Sequence, residues 1–370
     1  MASEENNRGA FRIQEFYCAK MAAPIYARIC RALAENLTRD SRTGARVLDW
    51  PGEPTRDALP LRLMGGLHAL VLAGCDDDLA AVFSGAIDTP EVIVRVLREA
   101  MVRHDAALLP WLDGPPQTNE PGRSGPLMAG LIEVARRFGP KLEILEIGSS
   151  AGLNLLIDRY HIKLGSTVVG PANSPVTLAP DWQGPSPEPV PIEIDAIRGC
   201  DVNPMDATHP TIEARLAAYV WPEAPERLAR LRSAVAMMRE RGVRLDRADA
   251  GDWIAARLAE PQAASVTRVL MHSVVWQYLP EDTAARIRTA MAVAGAAATA
   301  ERPLAWVSME PDRATAQQVI RVRCWPGGSP AEVFATAHAH GAWIRAGTPE
   351  AAGAAIALPG EARRNSKFEG

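Results

Sequence analysis

Acidic and small residues surround one glycine-rich turn near the middle of the chain. The segment Glu146–Asn154 has the sequence EIGSSAGLN, in which an acid precedes Gly148 and small residues recur at Ser150 and Gly152. Glycine adopts positive φ at little cost, and small side chains let a ligand approach the backbone. A helix that begins after the turn adds unpaired amide donors. The pattern therefore predicts a binding turn between a strand and a helix; a tight turn without a ligand is the alternative.

The same residues disfavour one common nucleotide-binding turn and exclude another. The dinucleotide motif G-x-G-x-x-G requires glycine where Ser150 stands, and a P-loop requires a Lys-Ser or Lys-Thr pair that the turn lacks. The segment instead resembles the E/D-x-G-x-G-x-G motif of S-adenosylmethionine-dependent methyltransferases, with Ser150 in place of the central glycine. This resemblance implies S-adenosylmethionine as cofactor, with Glu146, Gly148, Gly152 and Asn154 beside Ser150 in its site.

Acids also follow two later predicted strands. Ligands of parallel α/β sheets bind outside the carboxyl ends of the strands, so side chains at those ends are binding candidates. Asp201 follows the second predicted strand of this region, and Asp249 follows the third. By the methyltransferase resemblance, Asp201 accepts the ribose hydroxyls and Asp249 lies near the adenine amino group. The structural alternatives are a turn residue for Asp201 and a helix N-cap for Asp249.

The fourth and fifth predicted strands end in groups suited to catalysis. His272 closes the fourth strand and Glu310 closes the fifth. Imidazole exchanges a proton near neutral pH, so His272 is the candidate general base beside the acceptor, and Glu310 is a second candidate at the rim. A hydrogen-bonded structural histidine is the alternative. His338 and His340 lie two residues apart without a recognisable third ligand, and we predict no metal site.

A polar connector supplies the last candidates. The segment Gln117–Arg123 is QTNEPGR, which is rich in directed hydrogen-bonding groups for a linker. It lies just before the helix that leads into the first strand. Asn119 and Arg123 are therefore predicted to contact the cofactor, and a solvated loop with turn chemistry is the alternative.

The elements that carry these residues fall into two regions. Residues 1–125 show helical periodicity and end in a Pro/Gly-rich connector, which predicts an N-terminal α-helical domain. Residues 126–370 alternate strands with helices, apart from a Pro/Gly-rich insertion around residues 165–191. The alternation predicts an α/β fold with a mostly parallel sheet and a C-terminal antiparallel hairpin. This layout resembles the class I methyltransferase fold, which implies a Rossmann-like methyltransferase core with a seven-stranded sheet. Helices are expected over residues 12–37 and 151–159, and strands are expected over residues 142–147, 304–309, 319–324 and 333–337, among others.

Composition limits the function. The formal net charge is −4, which disfavours a nucleic-acid acceptor because such proteins carry basic surfaces. No apolar run of about 18 residues occurs, so no membrane span is expected, and the polar start of the chain does not resemble a secretory signal. Five scattered cysteines indicate neither a disulfide framework nor a zinc site. We predict a cytoplasmic protein whose partner is a small molecule.

Motifs spread along the chain resemble one bacterial family. They are QTNEPGR from Gln117, EIGSSAGLNLLIDRY from Glu146, GCDVNPMD from Gly199, YVWPE from Tyr219 and HSVVWQYL from His272. Together they are similar to the family catalogued as domain of unknown function 2332. The resemblance covers nearly the whole chain. It implies a Rossmann-like methyltransferase core with a helical N-terminal region, and it transfers no catalytic residue.

Three functional hypotheses follow from these residues. The first is an S-adenosylmethionine-dependent methyltransferase acting on a small-molecule acceptor; methyl transfer is a one-step displacement that needs alignment and few catalytic groups. The second is a non-catalytic protein that binds a nucleoside or a partner on the same fold. The third is a nicotinamide-dependent oxidoreductase, which Ser150 disfavours. The first is our prediction, and the acceptor and the oligomeric state stay open.

Overall fold

The computed structural model describes residues 3–312, 317–327 and 331–347. Contacts divide the chain into two units. Of the described residues, the first unit contains residues 3–118 and His209–Ala229, and the second contains Asn119–Thr208 and those from 230 to 347. The change of unit after Thr118 falls within the Pro/Gly-rich connector, and a segment from the middle of the chain joins the N-terminal helices. Residues 348–370 of the predicted second domain lie outside the described residues.

The described residues form twelve α-helices and twelve β-strands. The helices are α1 (Glu4–Lys20), α2 (Pro24–Asn36), α3 (Arg42–Leu48), α4 (Leu59–Leu72), α5 (Asp77–Phe83), α6 (Pro90–Arg103), α7 (Asp105–Leu108), α8 (Ser124–Phe138), α9 (Pro210–Ala218), α10 (Pro225–Arg241), α11 (Ala250–Ala259) and α12 (Glu281–Ala297). The strands are β1 (Lys141–Ile147), β2 (His161–Leu164), β3 (Thr167–Val169), β4 (Thr177–Leu178), β5 (Asp181–Gln183), β6 (Glu193–Asp201), β7 (Leu245–Arg247), β8 (Thr267–Ser273), β9 (Leu304–Asp312), β10 (Gln317–Trp325), β11 (Glu332–Ala337) and β12 (Trp343–Ala346). Within this part of the chain, no helix combines the length and the apolar character that a membrane crossing requires.

The first unit consists of helices around an apolar core. Tyr26 of α2 is buried in this core, where its ring meets that of Phe83 edge-on at a centroid distance of 6.0 Å. The prediction of one helix over residues 12–37 is wrong, because α1 ends and α2 begins within that range. Ala22 takes φ 55° at the break, and Pro24 opens α2, since proline fits the first turn of a helix but interrupts its interior.

The second unit is built on one large sheet with the strand order β5-β12-β11-β10-β9-β8-β1-β6-β7. Its nine strands correct the prediction of seven. The two additional strands are short: β5 comes from the predicted insertion, and β12 follows the predicted hairpin. The strands from β7 to β9 in this order are parallel, whereas β9, β10 and β11 pair antiparallel, which confirms the predicted hairpin. Strands β2, β3 and β4 form a separate small sheet.

The strand order reverses beside β1. From β1 the chain proceeds to β6 and β7 on one side and then returns to β8 and β9 on the other. Helix α8 packs on one face of the sheet, against β9 and β10. On the opposite face, Leu270 and Leu304 pack with Ile287 and Met291 of α12. The carboxyl ends of β1 and β8 therefore flank the crevice in which open α/β sheets bind ligands.

The helix expected over residues 151–159 does not form. The chain makes only a short 3₁₀ helix, Leu153–Leu156, and then enters β2. The buried Tyr160 hydroxyl donates to the Leu153 carbonyl oxygen at 2.6 Å and takes the acceptor that a following α-helical turn would use. Gly152 also takes φ 79°, outside the helical region. Tertiary burial of Tyr160 thus overrides the local helical pattern.

Candidate functional site

The glycine-rich turn after β1 is held in an unusual backbone conformation. Gly148, Ser150 and Gly152 all have positive φ, at 67°, 56° and 79°. The space beside Gly148 is filled by the chain itself, since an ideal Cβ at this position lies 2.2 Å from Cγ2 of Val275. Val275 follows β8, and its neighbour Val274 also has a positive φ of 53°, which is rare for a β-branched residue. The two loops at the crevice therefore pack directly against each other.

The amide groups of this turn are bonded within the protein. The Ser149 amide donates to the Cys200 carbonyl at 3.0 Å, and the Ser150 amide donates to Asp201 Oδ2 at 2.9 Å. The Leu153 amide donates to Asn119 Oδ1 at 2.7 Å. Asn119 therefore contacts and braces the backbone of the turn, and its predicted contact with a cofactor stays a prediction. These three N–H groups are therefore already bonded and are not the free donors that the sequence predicted at the start of a helix.

Glu146 carries the least satisfied polar group at this end of the sheet. Its side chain is 1% exposed, and Asn154 Nδ2 donates to its Oε1 at 3.1 Å, while Ser124 donates to Asn154 Oδ1 at 3.0 Å. Oε2 has no hydrogen-bond partner among the described residues. Burial raises the pKa of Glu146 to about 7, and the nearby Ser149 hydroxyl and the side-chain amide of Asn154 oppose this shift. A buried acceptor without a partner is a place for a ligand donor.

The other predicted cofactor residues have different surroundings. Asp201 accepts the amides of Ser150 and Asn203, one on each oxygen, and so joins the ends of β1 and β6. Asp249 caps α11: its Oδ1 accepts the amide of Gly251 at 2.8 Å, and its Oδ2 accepts the Thr283 hydroxyl at 2.9 Å. The structure therefore shows the N-cap that was the alternative for Asp249.

Arg123 is buried, and its Nε donates to the Ala339 carbonyl at 3.1 Å. His338 and His340 follow β11 rather than lying on it, with ring centroids 5.3 Å apart. No group of three or more potential metal ligands occurs among the residues that the structure describes.

The two predicted catalytic residues are in direct contact. His272 Nδ1 lies 2.7 Å from Glu310 Oε1, and the indole Nε1 of Trp306 donates to His272 Nε2 at 2.9 Å. Because an indole N–H can only donate, Nε2 must accept, and the proton of a neutral ring is assigned to Nδ1. Glu310 also accepts the amides of Val275 and Trp276. His272 is 2% exposed and has both ring nitrogens engaged, so in this geometry it is no free base.

A cavity of about 230 Å³ opens beside this network, on the face of β8, β9 and β10. Its walls are the side chains of His272, Trp276, Trp306, Ser308, Glu310, Arg321, Arg323 and Ala331. Cross-strand register explains the arrangement, because His272 lies opposite Ser308, and Ser308 lies opposite Arg321. Neither the tryptophans nor the arginines were among the predicted site residues. Alternation on the predicted strands over residues 304–309 and 319–324 was the available signal, since it puts every second residue on one face.

The fold and the site together define the class of protein. It is a mixed α/β protein with a large, mostly parallel sheet, and the polar groups described above cluster at the carboxyl ends of its central strands. The chain belongs to the bacterial family DUF2332, described as an uncharacterized protein conserved in bacteria, which it matches over residues 8–346. No curated protein and no solved structure matches it.

Proposed function

We propose that this chain is an S-adenosylmethionine-dependent methyltransferase that acts on a small molecule. The observation that carries the proposal is the buried Oε2 of Glu146, which has no hydrogen-bond partner among the described residues, at the carboxyl end of β1, where the strand order reverses. A carboxylate oxygen in that position suits the amino group of the cofactor. When bound, S-adenosylmethionine supplies an electrophilic methyl group.

The residues at the crevice fit the cofactor through carboxylates rather than through loop amides. Glu146 offers an oxygen without a hydrogen-bond partner, and the turn that follows it has positive φ at Gly148, Ser150 and Gly152. Asp201 uses one lone pair on each oxygen for a backbone amide, which leaves further acceptor capacity for hydroxyl groups. This assignment makes the sheet a Rossmann-like methyltransferase core. We propose a cytoplasmic location as well. The net charge of −4 favours a small-molecule acceptor over nucleic acid.

The proposal gives His272 and Glu310 positioning roles. Both nitrogens of His272 are occupied, and Glu310 holds the amides of Val275 and Trp276. This pair therefore fixes the loop after β8, which lies against Gly148, and it shapes the wall of the cavity. A displacement reaction depends mainly on such alignment and does not require a base when the acceptor is already ionised.

Calorimetric titration with S-adenosylmethionine tests this proposal. We expect micromolar binding to the wild-type chain, weakened at least ~10-fold by Asp201→Asn, because a hydrogen bond to a charged group is lost. Asp195→Asn is the matched control: it lies on the same strand, is exposed and stands near the amino end, away from the crevice. No binding by folded protein, or equal affinity for both variants, contradicts the cofactor assignment.

A non-catalytic binding protein is the second candidate. The observation that favours it is the packing of Val275 against Gly148, together with the internally bonded amides of Ser149 and Ser150. In this conformation, these contacts occupy the space and the amide donors through which a ligand would bind to the turn. Binding of S-adenosylmethionine and of its demethylated product with equal affinity, with no methyl transfer to any acceptor in a broad small-molecule screen, would support this candidate over the methyltransferase.

A further inference from the structure

The cavity beside β8, β9 and β10 has aromatic walls. The ring centroids of Trp276 and Trp306 are 5.5 Å apart at an interplanar angle of 53°. The His272 ring stacks on Trp276 with centroids 5.3 Å apart and an angle of 22°. Aromatic side chains in such arrangements favour flat apolar groups that pack edge-on or offset against them. The walls therefore select for a planar ring.

The cavity also holds a cation that lacks a partner. Arg323 Nε is buried, and neither a hydrogen bond nor an ion pair joins the Arg323 guanidinium to another residue in the described ranges. The guanidinium carbon lies 4.5 Å from the centroid of the Trp325 ring, which holds the group in place. Arg321 lines the same cavity, and its contact with Asp312 is long, at 3.5 Å. A guanidinium fork matches the two oxygens of a carboxylate.

The described wall of the cavity carries more positive than negative charge, with Arg321 and Arg323 against Glu310. Among the described residues, Glu310 is the only acidic residue in the cavity wall, and the His272 ring and two backbone amides already bond to its oxygens. Within the described ranges, Glu310 forms its ion pair with His272 and none with Arg323. A partly desolvated guanidinium without a counterion is unfavourable, and an anionic ligand relieves that cost.

We infer that this cavity binds a small planar aromatic carboxylate, with the ring against Trp276 and Trp306 and the carboxylate on Arg323. The volume of about 230 Å³ is below the ~300–1,000 Å³ of drug-sized sites, so the ligand is monocyclic. The use of this ligand as the methyl acceptor rests on the proposed methyltransferase function. Its binding does not, because none of the residues that line the cavity is a proposed cofactor ligand.

Benzoate is the probe, and its affinity is measured by calorimetry or ligand-observed NMR. We expect a Kd of about 1 mM or tighter for the wild-type chain. Arg323→Gln is expected to weaken binding at least ~10-fold, because it removes a charge-assisted bidentate contact. Arg323→Lys keeps the charge and is expected to lie between the two. Arg159→Gln is the control, since that side chain is 61% exposed and outside the cavity.

Two analogues of benzoate, one uncharged and one non-planar, separate the contribution of the carboxylate charge from that of the planar ring. Benzamide tests the charge and cyclohexanecarboxylate tests the planar ring, and both are expected to bind more weakly than benzoate. Melting curves verify that each variant is folded. The inference is overturned if benzoate does not bind, if Arg323→Gln and Arg159→Gln behave alike, or if benzamide binds as tightly as benzoate.

The titration is run with and without S-adenosylmethionine, which separates the two proposals. Benzoate binding to a chain that does not bind S-adenosylmethionine supports the cavity and removes the acceptor role. Cofactor binding without benzoate binding overturns the cavity assignment and leaves the methyltransferase proposal intact.

Discussion

Gly148→Ala is expected to lower the free energy of unfolding by about 2–5 kcal/mol, the sum of a left-handed backbone penalty and of overpacking. Gly148 has φ 67°, and an added Cβ lies 2.2 Å from Val275 Cγ2 and 2.8 Å from Val275 Cβ. Neither loop can yield easily, because the amides of Ser149, Ser150 and Val275 are all bonded. Urea denaturation of the purified variant measures the loss.

Gly242→Ala is the matched control for this substitution. Gly242 has φ 66°, almost the same value, and nothing lies within 4 Å of a Cβ added there. The control is expected to cost only the backbone term of about 1–2 kcal/mol. In the Gly148→Ala background, Val275→Gly removes the contacting side chain and is expected to restore stability, a positive coupling in a double-mutant cycle. Equal losses at both glycines would show that Val275 does not pack against the turn.

Glu146→Gln is expected to stabilise the protein at pH 8 and to have little effect at pH 5. The pKa of Glu146 is raised by burial from 4.5 to about 7. Between these values the folded protein keeps a proton that the unfolded chain has lost, so the stability of the wild-type chain falls as pH rises through this window. Above it, the folded state carries a buried charge that costs about 3 kcal/mol. Gln carries no charge, so a gain of about 1–3 kcal/mol is expected at pH 8.

Denaturation at both pH values measures this difference. Glu193→Gln is the control, because Glu193 is exposed at the start of β6, and it is expected to change stability equally at the two pH values. A Glu146→Gln variant that gains the same stability at pH 5 and pH 8 would contradict the raised pKa. Because this measurement uses no ligand, its outcome does not depend on the proposed cofactor.

The sequence alone determined the class of fold and the positions of the central strands. The apolar run before Gly148 predicted a strand over residues 142–147, and the structure has β1 at Lys141–Ile147. The hairpin of β10 and β11 was predicted in the same way. These features are encoded locally, because apolar patterning over five to ten residues reports burial directly. Once the strands are located, their carboxyl ends are known as well, which is why Glu146, Asp201, His272 and Glu310 could be named as candidates.

Only the tertiary structure decided what those candidates contact. Trp306 and Glu310 are more than thirty residues from His272 in the chain, yet both bond to its ring. Val275 was unremarkable in the sequence, and it fills the space beside Gly148. The cavity with Arg323 likewise exists only because three strands are in register.

The predicted helix after the glycine turn and the missed edge strands have the same explanation. Tyr160 bonds to Leu153 because the fold buries it there, and β5 pairs with β12, a strand that is distant in the sequence, at Asp181 and Trp343. Such short segments contain too few residues for a periodic signal. A hydrogen-bond partner or a packing neighbour far along the chain leaves no mark on local sequence, because it depends on where the whole sheet places both segments.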